Sequence, residues 1–243
     1  MSEQAVDLES VLQELIAEAR QAFAGDLLSV VLFGSAAEGR WRASSDVNLL
    51  FLLAAFDPAK AAGFRDSLRA AHSALRVEAM FLLAEELPAA ASLFALKFSD
   101  METRHRILFG TDPLAGLAIA DEDLRRRLRE VLLNLSIRLR ESCLLAGARE
   151  EQLARLVADT AGPLRAAAAA VLRLRGQPAA SPRAALENIA AGSGDQAFQE
   201  AVGLLPQARQ ELSLPPGRAA PVLLALARLA ASLRKSLEGG EAA

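Results

Sequence analysis

Residues 28–53 read LSVVLFGSAAEGRWRASSDVNLLFLL, two almost wholly apolar runs separated by a polar stretch that contains glycine. Runs rich in valine and leucine, too short for a packed helix, suit strands covered on both faces. Leu28 to Phe33 is the first such run and Asp46 to Leu53 the second, and the ten residues AAEGRWRASS between them leave room for turns and one helical turn. Upstream, Leu8, Leu12, Leu15, Ile16, Ala19 and Phe23 recur at three- and four-residue steps, as an amphipathic helix ending near Gly25 requires. Downstream, Pro58 opens a covering helix that carries Ala62, Phe64, Leu68 and Leu75, and Arg76 to Leu82 makes a third strand. Leu93 to Phe98 and Thr103 to Phe109 fit either further strands or a helix and a strand.

Gly110-Thr111-Asp112-Pro113 breaks the pattern, and the texture then turns to leucine-, alanine- and arginine-rich helix. The spacing predicts a long helix over 121–146 and further helices over 150–175, 183–191, 195–212 and 218–238, with Gly162-Pro163 kinking or splitting the second. The fold class expected is α+β: a mixed sheet flanked by helices in residues 1–115, then an all-α helical bundle in residues 116–243. A chain of 243 residues with 52% hydrophobic content can fill two such cores.

Composition narrows the partners. A net charge of −3 gives no strong positive field, which argues against nucleic acid and anionic membranes. The longest apolar run, Leu49 to Phe56, is far short of the ~20 residues that span a bilayer. The opening MSEQAVDLES lacks the basic and apolar regions of a secretory signal. One cysteine, Cys143, and two histidines, His72 and His105, form neither a disulfide framework nor a zinc cluster. The expectation is a cytoplasmic protein. His72 and Cys143 are expected to be structural, and Arg125, Arg126, Arg127 and Arg129, which wrap around their helix, to be solvated.

Chemistry concentrates near the strands. Gly34 ends the first apolar run, where a glycine permits a turn that presents successive N–H groups to an anion, and Ser35 adds a hydroxyl. Asp46 and Asn48, two apart on a strand, would share one face while Val47 and Leu49 enter the core. Glu78 is an acid within an apolar strand, costly to bury unless a cation or donor faces it, and otherwise an edge-strand charge facing water. Arg40 and Arg42 flank Trp41 in the connecting loop, within reach of a phosphate or base. Lys97, Arg104 and His105 lie past the third strand, where they could face the cleft, although an ordinary surface role is commoner for each.

Leu32-Phe33-Gly34-Ser35, ten residues, then Asp46-Val47-Asn48-Leu49 resembles the glycine-serine and paired-acid motif of the polymerase-beta-type nucleotidyltransferases. That superfamily includes small-molecule adenylyltransferases that modify aminoglycosides. The resemblance covers roughly residues 27–110. It implies that Gly34 and Ser35 grip a nucleoside triphosphate, that Asp46 and the residue at position 48 hold Mg2+, and that Glu78 assists the attacking hydroxyl or joins the metal site. The departure is Asn48, where the motif has a carboxylate. At ~4 Å and an effective dielectric near 20, one lost charge is worth about 4 kcal/mol, which weakens the second ion most.

The function expected is transfer of a nucleoside monophosphate from a nucleoside triphosphate to a hydroxyl of a small molecule or protein. A non-catalytic nucleotide-binding or interaction protein of the same fold is the alternative. Val222, Leu226, Leu229, Leu233 and Leu237 form a continuous stripe on the last helix, and a third reading has the bundle dock a partner or a second copy through an exposed leucine stripe.

Overall fold

The computed structural model describes residues 7–42, 45–147 and 149–238; the opening residues 1–6, expected to carry no signal, lie outside them. The chain divides into two compact units, Met1–Ile119 and Ala120–Ala243. In the first, helix α1 (Leu8–Phe23) leads through a 3-10 turn into β1 (Leu27–Phe33). Then come β2 (Val47–Leu53), α2 (Pro58–Leu75), β3 (Val77–Leu83), α3 (Leu87–Leu93), α4 (Ala95–Thr103) and β4 (His105–Gly110). The sheet order is β3-β2-β1-β4, with β1 antiparallel to both β2 and β4, and β2 parallel to β3. This is the mixed sheet flanked by helices that the sequence implies. The segment after Leu93 resolves into a helix and a strand.

Each strand sorts its residues by alternation. Leu32, Val47, Leu49, Phe51, Leu53 and Val77 pack with α1 and α2, whereas Val31, Phe33 and Leu50 pack with Ala90, Ala91, Phe98 and Met101 of α3 and α4. The first layer is knit by aromatic rings: Phe51 stacks on Phe81 at 4.9 Å between centroids, and Phe64 of α2 meets Phe51 edge-on at 5.6 Å. Fully burying a phenylalanine contributes roughly 1.5–3 kcal/mol, so this cluster fixes α2 against β2 and β3. Local signals set the helix ends. Asp7 and Asp57 accept the N–H groups of Glu9 and Ala59, and Pro58 occupies the first turn of α2, where it has no bond to lose.

The second unit is a helical bundle: α5 (Asp121–Ala146), α6 (Glu150–Leu174), α7 (Pro182–Gly192), α8 (Gln196–Glu211) and α9 (Ala219–Ser236). One expectation needs correction. Pro163 does not split α6, which runs unbroken from Glu150 to Leu174 with Ala161, Leu164, Ala167 and Ala168 all buried; packing along that face holds the helix together across the proline. The stripe Val222, Leu226, Leu229, Leu233 and Leu237 is buried core, each residue at most 3% exposed. Of the basic cluster, Arg126 and Arg127 pair with Asp123 and Glu130. No helix among the described residues is long and apolar enough to cross a membrane.

Gly110 closes β4 against β1 with φ +78°, and a Cβ there would lie 2.0 Å from the Leu28 carbonyl oxygen. Gly116 has the same φ with open space around it. Gly116→Ala therefore loses only the left-handed penalty, about 1–2 kcal/mol. Gly110→Ala loses more than that, because strand pairing must also give way. Chemical unfolding monitored by circular dichroism measures both, and equal losses would show that β4 does not hold Gly110 this closely.

Candidate functional site

Register lines up one row of residues across the sheet. Asn48 pairs with Phe33 on one side and Glu78 on the other, and Phe33 pairs with His105. Directly paired residues point to the same face, so the row Glu78, Asn48, Phe33, His105 shares the face that carries α3 and α4. The Gly34–Ser35 turn leaves the sheet at this row. Gly34 is buried with φ +78°, and a Cβ there would stand 3.8 Å from Asn48 Nδ2, which places the amide against the turn. Beyond it, Ala37 donates to the Gly34 carbonyl, Gly39 to Ala36 and Arg40 to Ser35, whereas the N–H groups of Ser35 and Ala36 make no backbone bond among the described residues. Two neighbouring free N–H groups after a left-handed glycine form a concavity suited to an anion.

The turn is tied down by a residue for which the sequence favours an ordinary surface role. The Arg104 carbonyl accepts the Gly34 N–H at 3.0 Å, and its guanidinium donates to Glu38 Oε2 at 3.0 Å and, through Nε and Nη2, to both oxygens of Asp100 at 2.5–2.9 Å. Burial alone would push Arg104 down, but Asp100 and Glu38 hold it above its ordinary value. Burial likewise pushes Glu38 up, yet hydrogen bonds from Arg40 and Arg104 outweigh it and set the carboxyl below its usual 4.5. Arg40, a candidate for nucleotide, is thus engaged by Glu38 within its own loop. Trp41 Nε1 donates to the Ser45 carbonyl at 3.1 Å, and Arg42 beside it is exposed. Of the ring between those arginines and the strand, residues 43 and 44 lie outside the described residues.

The acids differ from expectation in their surroundings. Asp46 lies one residue before β2, not on it, and its Oδ1 accepts from Arg76 Nε at 2.8 Å. The parallel register explains the partner: Val47 pairs with Val77, so the preceding residues, Asp46 and Arg76, stand side by side. Both are exposed, and such a pair contributes only about 0.2–1 kcal/mol, so it opens readily. Glu78 is not a buried carboxylate. It sits near the start of β3, an edge strand, and is exposed. The charge that acts on it is that of Lys97, with no ion pair between them among the described residues. Lys97 of α4 lies with its ammonium 5.4 Å from the centroid of the Phe33 ring. Burial lowers its pKa below 10.5 while Glu78 acts in the opposite direction. His105 is held by the Met101 carbonyl at 2.8 Å and the Asp112 carboxylate at 3.2 Å, a bracing arrangement at the end of the row.

Magnesium demands near-octahedral oxygen ligands, drawn from carboxylates, phosphate and water. Position 48 offers an amide, Asp46 is paired with a guanidinium, and among the described residues no three His, Cys, Asp or Glu side chains converge as a metal site. These side chains do not fit a two-ion magnesium centre. The signal that sequence reasoning missed is positional: Arg76 and Lys97 precede and follow β3 without any motif, and only register and helix placement bring them to the acids.

No protein-family model and no curated protein matches the chain. Among solved structures, it is similar to spectinomycin adenyltransferase from Enterococcus faecialis, crystallised with ATP and spectinomycin. The similarity has a TM-score of 0.64 at 12% identity and covers 93% of this chain and 99% of that one. At this identity the likeness shows a shared fold.

A lowered carboxylate pKa stabilises the folded state fully above the unfolded value and ceases to do so as pH falls through the folded value. Glu38→Gln is therefore expected to lose about 1–3 kcal/mol near pH 7, as for a charge-assisted hydrogen bond. The gap from the parent should narrow below about pH 4.5, the ordinary glutamate value. Urea unfolding from pH 7 to pH 3 measures it, and a gap independent of pH would remove Glu38 from the support of the turn.

Proposed function

We propose that the protein binds a nucleoside triphosphate at the Gly34–Ser35 turn and transfers its nucleoside monophosphate to a hydroxyl of a small molecule. The observation that carries this reading is the turn itself: a left-handed glycine, two neighbouring N–H groups with no backbone bond among the described residues, and the Ser35 hydroxyl, where the chain leaves the row that contains Asn48 and Glu78. The fold shared with an adenyltransferase supports the reaction class. In the reaction, the acceptor oxygen bonds to the α-phosphorus as the bond to pyrophosphate breaks in line. The acceptor proton passes to Glu78, whose exposed place on the edge strand leaves it open to a hydroxyl and then to solvent. The turn holds the departing polyphosphate, whose charge grows as the bond breaks.

A second reading, nucleotide binding without transfer, is favoured by one observation. The pair of residues that the motif would devote to metal is here an amide and an acid already engaged by Arg76. Calorimetry with ATP, run beside a pyrophosphate-release assay over a panel of small-molecule alcohols, separates the two. Release with an acceptor supports transfer, and binding without release supports the second reading.

Gly34→Val is expected to abolish ATP binding in a folded protein, because a β-branched residue resists φ +78° and the turn that presents the N–H groups would open. Unchanged ATP affinity, with circular dichroism showing a folded chain, would remove the turn from the site.

A further inference from the structure

Resting on the nucleotide-site reading above, we infer that Arg76 and Lys97 supply the positive charge for the triphosphate, so that polyphosphate binding here does not require a divalent cation. The two acids near the turn are matched in number by basic side chains of the same unit. Asp46 has Arg76 at 2.8 Å, and the ammonium of Lys97 lies over Phe33, in the same row as Glu78 and next to Gly34. Asn48, between them in the row, adds no charge. Two acids and two bases sum to zero. A site with three bare carboxylates repels a polyphosphate until metal arrives, whereas a neutral one with two cations does not.

Both cations are placed to change partner. The Arg76–Asp46 pair is exposed on both sides, so exchange of a carboxylate for a phosphate oxygen loses little. A planar guanidinium suits phosphate through two parallel N–H bonds. Arg76 also holds a left-handed backbone, φ +54°, at the end of α2, a position that commonly falls to glycine. Its N–H donates to His72 and its carbonyl accepts from Val47, which anchors the guanidinium at the mouth of β2 and β3. Lys97 makes no direct ion pair with Glu78 among the described residues, so its three N–H donors remain available to an incoming anion. The ligand class is a polyphosphate anion, carried by a nucleotide or free.

The test is calorimetry with ATP and with inorganic tripolyphosphate, each in EDTA and in excess magnesium. The parent should bind ATP in both buffers with affinities within about threefold. Lys97→Gln and Arg76→Gln should each weaken binding in EDTA by about tenfold or more, the scale of one charged hydrogen bond, with Lys97→Arg close to the parent. Tripolyphosphate should follow the same order, because the cations read phosphate and not base. Asn48→Asp, which restores a third carboxylate, should bind poorly in EDTA and recover in magnesium. Binding by the parent only in magnesium, or Lys97→Gln and Arg76→Gln equal to the parent in EDTA, would overturn the inference while leaving the nucleotide site in place. No ATP binding by the parent in either buffer would overturn that site, and this inference with it.

Discussion

The parallel pairing of β2 with β3, held from Val47–Val77 to Leu53–Leu83 without a break, is the constraint on which the candidate site depends. A one-residue slip in a strand pair sends every side chain to the opposite face. Here such a slip would turn Glu78 toward the face that α1 and α2 cover and take Val77, Ala79, Phe81 and Leu83 out of it, at a loss of several buried contacts. The aromatic cluster thus fixes the register, and the register places Arg76 beside Asp46 and Glu78 beside Asn48. Packing on one face of the sheet decides the electrostatics at its end.

The opposite face is governed by a different economy. Phe33, Val31 and Leu50 form a small apolar layer under α3 and α4, and α4 delivers three polar groups from its length: Lys97 over Phe33, Asp100 to Arg104, and the Met101 carbonyl to His105. Arg104 then reaches back to the turn by its carbonyl and to Glu38 by its side chain. The turn that presents Ser35 and Ala36 is therefore braced from outside its own loop. A preorganised set of N–H groups holds an anion without having to order itself first, and this bracing is what supplies the order.

Charge balance distinguishes this site from one built around metal. Sites that assemble several carboxylates store repulsion that a cation relieves, and are less stable without it. In this protein Asp46 is paired with Arg76 and Lys97 stands over Phe33 in the row of Glu78, which leaves cations near the turn. The same arrangement is compatible with transfer or with binding alone, because both begin with a seated polyphosphate.

Much of the architecture was legible in residue order. Apolar runs of seven residues, Pro58 after Asp57 and the helical leucine spacing beyond Asp121 are local signals, and local signals set elements. The glycine turn was also legible, since a backbone at φ +78° asks for glycine wherever it occurs. Three things were not. The unbroken course of α6 through Pro163 depends on a buried face that propensity does not see, and the stripe on α9 reads equally well as core or as surface until its neighbours are placed. The partners of Asp46 and Glu78 depend on pairs thirty and nineteen positions apart, which no spacing rule relates. The sequence by itself determined the elements, the glycine turn and the amide at position 48, because these follow from short-range sterics and residue chemistry. Only the tertiary structure decided which charges meet, because strand register and the docking of α4, both consequences of side-chain packing, bring Arg76 and Lys97 to the acids.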